Sequence, residues 1–150
     1  MLNFFKVKDG DRILLELGNA GEFSKSGDLE LLSANSTDAA TEKHVPVVTI
    51  EDGLVVVRVG SVPHPMTPEH YIEWVFVKTS AGGTYCNLTP EDVPEAKFPI
   101  APDEVEAVYI YCNLHGLWKA QEPVFPNFFD SNDIACSAEF SAGCVDPLSE

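Results

Sequence analysis

Two β-branched runs, Val45–Ile50 and Leu54–Val59, stand either side of Glu51-Asp52-Gly53 and constrain this chain more than any other feature. Valine and isoleucine suit a pleated, half-buried surface, and Asp-Gly between such runs is a strong hairpin signal. The stretch predicts an antiparallel hairpin. Tyr71–Val77 reads as a further strand, Ala81-Gly82-Gly83 turns the chain, and Thr84–Leu88 returns. A proline-rich connector from Pro90 to Pro102 then leads to the last strong strand, Val105–Tyr111. Several short strands separated by turn signals, with no helical period, predict an all-β sandwich.

Between the hairpin and the third strand lies Gly60-Ser61-Val62-Pro63-His64-Pro65-Met66-Thr67-Pro68-Glu69-His70. Its three prolines exclude a helix interior and a central strand, leaving a stiff loop that carries two imidazoles. His44 precedes the first core strand, and Cys112 and His115 follow the last one. On a strand those two would point to opposite faces, whereas a turn through Asn113 and Gly116 brings sulfur and nitrogen onto one centre. Alone, the pair also fits a buried core cysteine beside a structural histidine. Four histidines at strand ends and in loops shift that balance, because loops at one end of a sandwich converge.

One thiolate and four imidazoles exceed the four ligands of structural zinc. The set suits iron, copper or cobalt, and five donors leave a position open. A copper electron carrier using the Met66 thioether is a competing reading, and a sandwich-type binding module whose histidines hold zinc or nothing is another.

Composition narrows the partners. Twenty-four acidic residues against nine basic ones give a charge of −15, which argues against nucleic acid. No apolar run reaches the eighteen or so residues of a membrane span, and Met1–Asp9 lacks a signal peptide's apolar centre, so the expected compartment is the cytoplasm. Cys86, Cys112, Cys136 and Cys144 are too few and too scattered for a disulfide framework,. Residues 1–35 read as short strands and turns without His or Cys, and Gln121–Glu150 as an added tail with no clear period.

In chain order, Glu42-Lys43-His44-Val45-Pro46, Gly60-Ser61-Val62-Pro63-His64-Pro65-Met66 with His70, Ile72-Glu73-Trp74, and Tyr111-Cys112-Asn113-Leu114-His115-Gly116 resemble the superoxide reductase family, also called desulfoferrodoxin and neelaredoxin. The resemblance covers residues 36–121. It implies an immunoglobulin-like sandwich binding one mononuclear Fe2+/Fe3+ per chain, with His44, His64, His70 and His115 equatorial and Cys112 axial. The sixth position would receive superoxide and release hydrogen peroxide, with Glu42 and Lys43 beside it. Because a chain at −15 repels an anion, a local cation such as Lys43 would focus its approach,. The resemblance further implies an electron donor such as rubredoxin and a homodimer or homotetramer.

The chain departs from the two-iron form of the family at its start. Val7, Gly10, Leu31 and Leu32 stand where that form carries four cysteines, so residues 1–35 are expected to be a desulforedoxin-like segment with no second iron centre. The division expected is thus 1–35, 36–121 for the iron-binding sandwich, and 122–150 for a tail of unknown role. Tyr85-Cys86-Asn87-Leu88 nearly repeats Tyr111-Cys112-Asn113-Leu114, but Thr89 stands in place of a histidine. Cys86 therefore reads as a core or free thiol; Cys136 and Cys144 read as free thiols, with a disulfide or redox pair as the alternative.

Overall fold

The computed structural model describes residues 2–17, 27–122 and 124–125. The predicted hairpin is present as β4 (Pro46–Glu51) and β5 (Leu54–Val59), joined by the two-residue turn Asp52-Gly53 with both φ values positive. Such a turn matches the right-handed twist of its strands, and glycine takes the second position at no steric cost. β6 (Ile72–Thr79), β7 (Gly82–Asn87) and β9 (Val105–Cys112) also form, close to their expected bounds.

Two sheets make the sandwich. One is four-stranded, with β10 (Gly116–Lys119) added at its edge in the order β10-β9-β6-β7. The other is three-stranded, β4-β5-β8, where β8 is Glu95–Phe98. β8 corrects the expectation of a structureless connector. Its four residues pair on one side only, with β5, and an edge strand tolerates the prolines that flank it,.

β1 (Phe4–Val7), β2 (Ile13–Leu15) and β3 (Leu29–Leu31) form a separate small sheet, β2-β1-β3. This sheet covers the outer face of the four-stranded one. Phe4 stacks on Trp74 at 5.3 Å and lies 5.1 Å from Tyr109, ring centre to ring centre. β9 is consequently buried on both faces. Val108, Ile110 and Cys112 face the sandwich core, while Ala107, Tyr109 and Tyr111 face Phe4, which explains an apolar run that does not alternate. Burying each large side chain contributes about 1.5–3 kcal/mol.

The linker after β3 is fixed by Asn35. Its Nδ2 donates to the Lys119 carbonyl (3.2 Å) and its Oδ1 accepts the Lys119 amide (2.8 Å). At the other end, Val124 and Phe125 pack against the main core. The remaining tail, 126–150 with Cys136 and Cys144, lies outside the described residues.

Candidate metal centre

His44 ends a single helical turn, α1 (Thr41–His44), too short to leave a period in the sequence. The carbonyl of Ala40 accepts the His44 Nδ1 proton at 2.7 Å and fixes the ring. The β5–β6 loop holds this turn in place. Val62 donates its amide to the Glu42 carbonyl (2.9 Å), and Gly60 donates to that of Val45 (3.2 Å). At Gly60 the chain has φ +83°, and a Cβ there would meet Val62 O at 2.4 Å and Glu42 O and Lys43 O at 2.7 Å. Only glycine fits.

The same loop carries His64 and His70. His64 donates its amide to the Val59 carbonyl (3.3 Å) and Nδ1 to the Pro65 carbonyl (2.6 Å). Thr67 and His70 close a small bridge by exchanging backbone bonds of 2.9 and 3.1 Å. A register shift in the β6–β9 ladder between Ile72 and Trp74 lies beside this loop, and such bulges re-aim side chains near functional sites.

Cys112 ends β9, fully buried, and the chain turns back at Gly116 (φ +77°). The His115 amide donates to Cys112 Sγ at 3.4 Å, and the Leu114 amide also stabilises a negative sulfur. Trp118 Nε1 donates to the His115 carbonyl (3.1 Å), and its ring lies on His44 at 4.8 Å.

These elements bring four donors together: one atom each from His44, His70, Cys112 and His115, all within 4.8 Å of one another. His64 stands outside that tightest group but joins it through His44. Its Nε2 is 3.2 Å from His44 Nε2, and its ring centre is 4.6 Å from that of His70. His44 Nε2 in turn lies 3.0 Å from His115 Nδ1. Two donors at right angles around one ion, with bonds of about 2.0–2.1 Å, stand about 3 Å apart.

The hydrogen bonds decide what these nitrogens carry. Carbonyls only accept, so Nδ1 of His44 and of His64 bears the proton and both Nε2 atoms present bare lone pairs,. Those lone pairs face each other. A second proton on either ring is disfavoured, since burial lowers the pKa of His44 and pushes His64 down to about 4,. His70 Nε2 is buried with no hydrogen-bond partner. Burial likewise raises the Cys112 pKa against the pull of the two amides, and metal coordination deprotonates such a thiol outright. A cation among these atoms meets all four demands, so the donor set fits a metal ion.

A family model described as Desulfoferrodoxin matches residues 36–121. The chain belongs to the desulfoferrodoxin family. A desulfoferrodoxin of Clostridium acetobutylicum is 44% identical over 118 residues, covering 78% of this chain and 93% of the relative. A superoxide reductase of Pyrococcus horikoshii is 36% identical over 102 residues, covering 56% and 89%. Among solved structures, the superoxide reductase from Treponema pallidum aligns with a TM-score of 0.65 at 36% identity, covering 81% of this chain and 99% of that one.

Glu42 and Lys43 are exposed on α1, and the Lys43 charge is felt at both His44 and His70. Two members of this desulfoferrodoxin site escaped sequence reasoning. No spacing rule ties Gly60, at the head of the proline loop, or Trp118 to His44, which each contacts or approaches only in the closed fold. Met66 does not join the donors; its Sδ accepts the Ile72 amide at 3.4 Å. Cys86 sits half-buried on β7. Among the described residues no helix is long and apolar enough to cross a membrane.

Proposed function

We propose that this chain is a superoxide reductase that binds one iron through His44, His64, His70, His115 and Cys112. The observation that carries the reading is the convergence of three imidazole nitrogens on a buried thiol, with the bare Nε2 atoms of His44 and His64 face to face beside them. When bound, iron supplies the electron that takes superoxide, with two protons, to hydrogen peroxide.

The chain's own residues orient the donors and tune them. Ala40 and Pro65 carbonyls hold His44 and His64 in the tautomer that can ligate,. The amides of Leu114 and His115 share the sulfur's negative charge. Lys43 gives an anionic substrate a local cation in a chain of net charge −15,. Glu42, two residues before His44 and exposed on α1, is the carboxylate that would occupy the open position once superoxide has left.

Residues 36–121 carry this chemistry, residues 1–35 supply no ligand, and 122–150 form the tail. The same reading takes the electron donor to be a small redox protein such as rubredoxin, the compartment to be the cytoplasm and the assembly to be a homodimer or homotetramer. A copper carrier loses support because its thioether, Met66, is engaged by the Ile72 amide.

The test combines metal analysis, the visible spectrum and a superoxide assay on the purified protein. One iron per chain, a thiolate-to-iron band present only after oxidation, and peroxide formed without dioxygen are the expected results. Zinc, or no metal and no band, would refute the reading.

A further inference from the structure

One side chain ties the Cys112–His115 turn to the loop that carries His70. Asn113 Oδ1 accepts the Tyr71 amide at 3.0 Å, and Nδ2 donates to the Glu69 carbonyl at 3.0 Å. Its own amide donates to the Tyr71 carbonyl at 3.2 Å. The three bonds grip the residues on either side of His70. One orientation of the amide alone offers an acceptor to Tyr71 and a donor to Glu69, so the network fixes it.

His70 is otherwise held by Thr67, whose hydroxyl bonds to both the His70 amide and its carbonyl. Its backbone is held by the short bridge to Thr67, and its Nε2 has no partner. Asn113 immediately follows Cys112, so its side chain links the thiol turn directly to the two residues that flank His70. The near-repeat offers an internal contrast: Asn87, in the matching Tyr-Cys-Asn-Leu sequence, lies in the β6–β7 ladder opposite Trp74.

We propose that Asn113 is a positioning residue that holds His70 and Cys112 in register for a shared metal ion. The proposal rests on the reading of the five donors as a metal site. Asn113 touches no reacting atom, so its effect is on how well the donors are arranged before the ion arrives. Residues that orient metal ligands from behind typically cost about 10–100-fold in metal affinity when removed.

The experiment uses the metal-free full chain and cobalt(II) as probe, reading affinity and the thiolate-to-cobalt band for Asn113→Ala and the milder Asn113→Asp. Asn113→Asp keeps an acceptor for Tyr71 and loses the donor to Glu69. A structural control is Asn35→Gly, which also removes a donor and an acceptor bond to one strand, at a positive φ that glycine tolerates. Binding weakened by about 10–100-fold in Asn113→Ala, less in Asn113→Asp, with a displaced band and neither change in Asn35→Gly, is the expected result. Wild-type affinity and an unmoved band in both Asn113 variants would overturn the proposal, whatever their unfolding temperatures. Failure of the wild-type chain to bind cobalt or develop the band would instead overturn the metal-site reading beneath it.

Discussion

Acidifying the metal-free protein should destabilise it through His64. An unfolded histidine titrates near 6.5, while burial, opposed by the bond to Pro65 and reinforced by the neighbouring imidazoles, pushes His64 down to about 4. Between those values the unfolded chain takes up a proton that the native protein refuses. Stability is therefore full above about pH 6.5 and is lost as the pH falls towards 4,. The gap of about two and a half pH units, at about 1.36 kcal/mol each, sets the His64 contribution at about 3 kcal/mol,. His44 and His70 are lowered in the same direction and add to the loss.

Urea unfolding of chelator-treated protein at several values from pH 7 to pH 4 measures this, with His64→Gln as reference. Glutamine does not titrate and keeps an N–H for the Pro65 carbonyl. Every other acid-sensitive group is common to the two chains and cancels in the difference. Wild type should lose stability more steeply than the variant below pH 6.5, the profiles converging or crossing by about 3 kcal/mol at pH 4. Parallel profiles would refute the argument that burial keeps His64 neutral. Metal must be removed first, because protons and metal compete for the same lone pair.

Gly60→Ala should cost about 2 kcal/mol or more, from the positive φ and the contacts with the Glu42 and Lys43 carbonyls,; urea unfolding reads it, and an unchanged midpoint would contradict the close approach of loop and helix. Lys43→Ala should slow superoxide capture by roughly tenfold and flatten its dependence on ionic strength, measured by pulse radiolysis across a salt series. Cys112→Ser should abolish the thiolate-to-iron band while iron analysis still finds metal; a surviving band would point to Cys86 as the ligand. Trp118→Phe keeps a ring against His44 but leaves the His115 carbonyl without its donor, for an expected loss of about 1–3 kcal/mol in thermal or urea unfolding.

The sandwich was legible where side-chain chemistry repeats. Val45–Ile50, Leu54–Val59 and Val105–Tyr111 are β-branched or apolar runs that only strands bury well, and Asp52-Gly53 names its own turn. β8 and β10 were not legible, because four-residue edge strands carry no period and are flanked by Pro94 and Pro99 or opened by Gly116. α1 fell below the length at which a helical pattern exists. At the site, residue type announces the donors, since few side chains ligate metal. What orients them is contact between segments distant in sequence: the Val62 amide on the Glu42 carbonyl, the Trp118 ring on His44. Such contacts depend on the closed fold and leave no local trace.

The donors come from three separated stretches, at 44, at 64 and 70, and at 112 and 115, and the longest separation among the close contacts is the 71 residues between His44 and His115. Closing loops of that length is costly before any contact rewards it, so the long-range pairing of β6 with β9 must precede the meeting of most donors,. Under the proposed function, an ion held by these donors joins segments that the sequence keeps far apart. The core beneath them is valine, isoleucine and aromatic burial, and an ion that binds the folded chain and not the unfolded one adds a binding term to that stability. Removing that ion would then lower the unfolding midpoint while leaving in place the hydrophobic core that closes the sandwich,.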